Sequence, residues 1–228
     1  MILENLLFDL LNSDVVRLVR DVQERVDCIL GGHLVINCHR DHKRFFYELC
    51  PLVTLAGHVG DDDTRIALSP QGTRFDGRII FSDGREQIVE MTAAIDGHND
   101  ALVRRICAEY HSAPLYQATD YLKDILDGRR PNEGAAICMD VRDEILLGFM
   151  KERLRDKKEL AKSNQHYASA WLGIVFDEWP VGLDHERWDR LATELLSAND
   201  IHPFERAFCV GIHGSYIFDS AHMTSWRS

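Results

Sequence analysis

The stretch RFDGRIIFSDGREQIVEMT, residues 74–92, holds two short apolar runs on either side of a Ser-Asp-Gly turn, and its reading decides the fold. Alternation with a period of two and a Gly-containing turn predict a β-hairpin. Asp76 and Glu90 interrupt that pattern with charge, and Thr92 lies two residues beyond Glu90, on the same face of its strand. Two registers are open. A two-residue Asp83-Gly84 loop would put Asp76 opposite Met91. A three-residue loop over Ser82, Asp83 and Gly84, with Gly84 left-handed, would put Asp76 opposite Glu90. In the second case two carboxylates stand about 5 Å apart at Cβ, a costly pairing unless a cation or a proton is shared. Solvated acids on the open face of a sheet are the simpler alternative.

The pattern extends in both directions from the hairpin. Residues 2–30 carry apolar positions at helical spacing, with a break and a fresh cap near Asn12, Ser13 and Asp14. HLVIN (33–37) reads as a short strand or connector. A helix follows from about Asp41, and Pro51 is expected to kink or end it. TRIALSP (64–70) precedes the hairpin as a strand. Helices are expected over 96–113, 116–128, 135–164 and 184–199, with a strand at Trp171–Phe176 and a strand–turn–strand over 204–220. Helices, a strand cluster, more helices and further strands predict an α/β fold. The expected organisation is a single α/β domain over 1–228, with a helical N-terminal extension (1–40) and a core (41–228).

The 228 residues suffice to bury a core without disulfide or metal support. No run of about 18 apolar residues occurs, so no membrane span is expected. Glu4 and Asp9 stand where a signal peptide would be basic, and the expected compartment is cytoplasmic. Six scattered cysteines without a CxxC pair read as reduced, mostly buried thiols. A net charge of −11 argues against strong non-specific attraction to nucleic acid, though not against a local basic groove.

A helix acid (Glu48 in RFFYELC), then strands, an Asp, thirteen intervening residues, Glu-x-Thr and a helix form an order that resembles the PD-(D/E)XK nuclease superfamily. The resemblance spans roughly residues 40–220 as a pattern, and the motif itself is short. It implies a restriction-endonuclease-like central mixed sheet flanked by helices. Asp76 and Glu90 would hold Mg²⁺ or Mn²⁺, Glu48 would complete the site, and Thr92 would occupy the motif Lys position. It implies Mg²⁺-dependent phosphodiester hydrolysis with DNA as partner, and it is compatible with a homodimer. Thr92 departs from the family because it carries no charge. Lys157 or Lys158 from a neighbouring element, or Gln87 as a neutral substitute, could stand in for the missing lysine. Otherwise the fold serves as a catalytically inactive binding or regulatory module, or the chain is an unrelated α/β domain.

Other segments carry weaker signals. Residues 151–162 hold six basic against three acidic side chains, either a phosphate-binding face for which Lys157 and Lys158 are the candidates or a solvated helix with i,i+4 pairs. His98, after the Glu-x-Thr strand, is a secondary site candidate beside a plain turn-and-cap reading. Cys38, His39 and His42 have too few ligands for zinc and no second cluster to complete them. The four tryptophans read as core packing rather than a stacking platform.

Overall fold

A computed structural model describes residues 2–12, 14–30, 42–94, 97–110, 119–132, 143–176, 185–198, 200–212 and 216–221. The N-terminal part supplies α1 (Ile2–Leu10), β1 (Arg17–Leu18) and α2 (Val19–Leu30). A continuous helical rod follows: α3 (His42–Arg44), a π turn π1 (Phe45–Leu49) and α4 (Cys50–Val59). Three strands come next, β2 (Arg65–Leu68), β3 (Gly77–Ile80) and β4 (Glu86–Ala93). Then α5 (Gly97–Tyr110), α6 (Thr119–Leu126) and α7 (Asp143–Lys162) lead through a 3₁₀ turn (Gln165–Ser169) into β5 (Trp171–Phe176). The chain continues as α8 (His185–Ala198), β6 (Arg206–Gly211) and β7 (Ile217–Asp219).

Among the described residues seven strands form one mixed sheet in sequence order, flanked by helices. β1 to β4 run antiparallel as neighbours, β4–β5 and β5–β6 are parallel, and β7 returns antiparallel on β6. Parallel neighbours need long crossovers, here the helices between β4 and β5 and α8 between β5 and β6. β5 is buried at every residue, as a strand covered on both faces must be. One face carries Ile79, Val89, Met91, Trp171 and Val175 against α1, α2, π1 and α4. The other carries Leu172, Ile174, Phe176 and Cys209 against α7 and α8. At the β7 side, Asp219 is fully buried and paired with Arg206, whose guanidinium stacks on Trp171 and Phe208.

The hairpin adopts the three-residue loop. Phe81 N–H donates to Arg85 O at 2.9 Å, Gly84 N–H donates to Phe81 O at 3.0 Å, and Gly84 has φ +82°. Gly77 pairs with Val89 and Ile80 with Glu86, which sets Asp76 opposite Glu90. The two-residue alternative is thereby ruled out.

Two local expectations need correction. Pro51 does not end its helix: it occupies the second position of α4, directly after the π turn. The π turn before it is closed by Cys50 N–H donating to Phe45 O, and this wider turn carries the chain into a segment where the ring supplies no N–H. The N-terminal segment is also not wholly helical. Asp14 takes φ 59°, its N–H donates to Leu68 O at 2.8 Å, and Arg17–Leu18 pairs with Ile66 and Arg65 as an edge strand. Helical spacing of Val15, Val16, Leu18 and Val19 concealed this strand, which is fixed by pairing nearly fifty residues away. HLVIN and residues 135–142 of the long expected helix lie outside the described residues.

Candidate active site

The register brings Asp76 and Glu90 onto the sheet face that α7 covers. Glu90 is only 4% exposed and Thr92 8%, so the open-face reading of these side chains fails. Asp76, just before β3, accepts a hydrogen bond from Met91 N–H at 2.6 Å through Oδ2, which anchors it to β4 and leaves Oδ1 for another partner. Glu48 enters from π1. Its neighbour one turn earlier, Arg44, lies 3.5 Å from Glu48 Oε2 and donates to Ser69 O at 2.6 Å. Ser69 N–H in turn donates to Asp76 O at 2.9 Å, so the rod and the start of β3 are tied together. Gly77 allows this close approach: a Cβ there would sit 2.5 Å from Leu52 Cδ2 and 3.0 Å from Ala67 O.

The fourth member comes from α7. The Lys157 ammonium donates to Glu90 Oε1, and the pair is largely withdrawn from solvent. One turn earlier, Arg153 Nε donates to Ala93 O at 3.2 Å and pins α7 across the end of β4. Lys157 and Arg153 are i,i+4 neighbours on one helix face, and that spacing lets both reach the same strand.

Burial raises the pKa of all three acids, and the Asp76 charge adds to the rise at Glu48 and Glu90. Burial, then the charges of Asp76 and Glu90, push Glu48 up to about 7, with Arg44 opposing. Burial and the Asp76 charge push Glu90 up to about 7 against the pull of Lys157. Burial also raises Asp76, opposed by the Met91 hydrogen bond and by Lys157 and Arg44. The same two acids help raise the phenol of Tyr167, after burial as the larger cause. Tyr167 donates to Arg74 O at 3.1 Å and packs its ring on Phe75 at 5.2 Å, holding the two residues that precede Asp76.

Among the described residues no three or more His, Cys, Asp or Glu side chains form a ready-made metal cage. The donor chemistry nonetheless suits a hard divalent cation. Mg²⁺ is commonly held by one or two carboxylates with water completing its octahedron, and half-buried Asp76 and buried Glu90 are two carboxylates whose mutual repulsion such an ion would relieve.

The other sequence candidates fall elsewhere. Lys158 turns away from the acids, donating to Asp200 O and lying 3.7 Å from Asp200 Oδ2. Gln87 donates to Ser169 O at 2.6 Å and joins β4 to the 3₁₀ turn, so it is no substitute for the lysine. His98 lies in the first turn of α5, with its side chain outside the described residues, as is that of His42; Cys38 and His39 are outside them altogether. Nothing in the local sequence marks Arg44 or Arg153 as part of the site. Tyr167, an aromatic just ahead of an apolar strand, has a local signal, and that signal indicates core packing.

A groove of about 1010 Å³ runs along the outer flank of α7. Lys151, Arg155, Lys158 and Lys162 line it at i, i+4, i+7 and i+11, facing Asp200 and His202. These cations pair with acids, including Lys151 with Glu194 and Lys162 with Glu159. No family model, curated protein or solved structure matches the chain.

Proposed function

We propose that this pocket is a two-carboxylate Mg²⁺ or Mn²⁺ site on a restriction-endonuclease-like fold, and that the protein hydrolyses phosphodiester bonds of DNA. The observation that carries the reading is the cross-strand pair of half-buried Asp76 and buried Glu90 on one sheet face, with the Lys157 ammonium against Glu90. Further support comes from the order of elements: a helix bearing Glu48, an antiparallel hairpin, a helical crossover and a parallel strand. The bound ion would lower the pKa of a coordinated water and offset charge on the phosphoryl oxygens.

Around that ion each side chain has a part. The carboxylates of Asp76 and Glu90 would hold it. Lys157 takes the place that Thr92 cannot fill and supplies positive charge to the phosphate. Glu48, held near 7, can accept or release a proton at neutral pH. The cationic stripe of α7 offers backbone contacts beside the pocket, since exposed ion pairs are worth about 0–1 kcal/mol and exchange readily for phosphate. The second reading, a catalytically silent binding module, draws on Thr92, which leaves the hairpin itself without a base.

Metal titration by calorimetry and DNA cleavage with and without Mg²⁺ test these readings. Wild type is expected to bind Mn²⁺ and to cleave, while Glu90→Ala loses both, with cleavage falling by at least about 100-fold. Metal binding without cleavage favours the silent module. Equal cleavage by wild type and Glu90→Ala removes the nuclease reading.

A further inference from the structure

We infer that Lys157 is a resident counter-cation on the Glu90 arm of the metal site, and that a divalent ion enters by displacing its ammonium toward the rim of the pocket. This rests on the two-carboxylate reading and concerns how that site is controlled. The ammonium makes its contact at Glu90 Oε1, an oxygen of one of the two proposed ligands, and its charge also acts on Asp76. An ammonium held at Glu90 Oε1 repels a divalent ion brought to the same half-dry carboxylate, so the two cations compete for its charge.

The surroundings suit an exchange confined to one side chain. Arg153 holds the backbone of α7 to Ala93, and Met150, Leu154 and Ala161 of the same helix are buried in the core. The helix therefore stays in place while the four-carbon stem of Lys157 rotates. Lys157 keeps 23% of its side-chain surface in solvent against 6% for Glu90, so the lysine has an outward path and the carboxylate does not. Without metal, the ammonium limits repulsion between the acids. With metal, the same charge is released to the side from which a phosphate arrives. The site would thus keep one compensating cation in either state.

The sign of the effect distinguishes this role from that of a lysine which merely supports the metal site. At pH 8.5, above the range in which Glu48 and Glu90 protonate, Lys157→Met is expected to bind Mn²⁺ about tenfold more tightly than wild type by calorimetry. Lys157→Gln should behave alike, which guards against one variant failing to fold. In wild type, saturating Mn²⁺ should increase acetylation of Lys157 several-fold, with the folded full chain labelled and the site read by mass spectrometry of its proteolytic peptides; in Glu90→Gln this metal dependence should vanish. If metal binds but Lys157→Met and Lys157→Gln bind it equally or more weakly, or if Lys157 reactivity is unchanged or lowered, the exchange is overturned and the metal site stands. If neither wild type nor the lysine variants take up Mn²⁺, the metal reading itself fails and the exchange with it.

Discussion

Glu90 is a buried acid whose raised pKa has a direct thermodynamic consequence. Its protonated form is favoured in the folded state, so between about 4.5 and about 7 the native protein binds more protons than the unfolded chain. Stability must then fall as pH rises through that window, the reverse of an acid held ionised by a salt bridge. Glu48 behaves the same way, and Asp76 adds in the same direction. The loss is expected to be on the order of 2 kcal/mol for Glu90 and less for the more exposed Glu48. Urea denaturation at pH 5 and pH 8 measures it, and Glu48→Gln should flatten the decline. Added Mg²⁺ should restore stability at pH 8, because a ligand that binds only the native state stabilises it by mass action.

The β3–β4 hairpin sets the site through its turn. With Gly84 at φ +82° and no atom within 4 Å of a Cβ placed there, Gly84→Ala meets backbone strain alone. The expected cost is about 1 kcal/mol, read from the urea midpoint, and Gly84→Asn should cost less because Asn tolerates the left-handed region. Turn and register were both legible as alternatives in the sequence, and the Ser82-Asp83-Gly84 option was among them. The choice between them was not local: one residue of slip in β4 would swap Val89 and Met91 away from the core they share with Ile79 and bring Glu90 into it. Burial of that apolar face decides the register, and the carboxylates follow. The π turn shows the opposite limit, since nothing in RFFYELC marks where the helix widens.

Across the whole molecule, the acidic chain gathers a dense run of positive charge on α7. One flank of that helix sends Lys157 and Arg153 to β4, and the other lines the groove with Lys151, Arg155, Lys158 and Lys162. If the groove follows a nucleic acid backbone, Lys158→Gln with Lys162→Gln should weaken DNA binding. The same pair should reduce the slope of log K against log salt by about 1 for each phosphate left without its lysine. Metal affinity should not change, because neither residue reaches the acids; fluorescence anisotropy over a salt series and calorimetry read the two effects separately. Among the described residues no helix is long and apolar enough to cross a membrane.

The sequence by itself determined the order of most helices and strands, because amphipathic period and turn chemistry are local properties of neighbouring residues. It also marked Asp76, Glu90 and Glu48, since charge inside an apolar strand or helix is visible without a fold. It could not separate Lys157 from Lys158, adjacent residues of one helix with the same chemistry. Helix rotation against the sheet turns one toward Glu90 and the other toward Asp200. Nor could it say that Glu90 is buried, because its burial depends on α7 crossing β4 some sixty residues later in the chain. Contacts of that range are made by packing two distant surfaces together, and only the tertiary structure carries them.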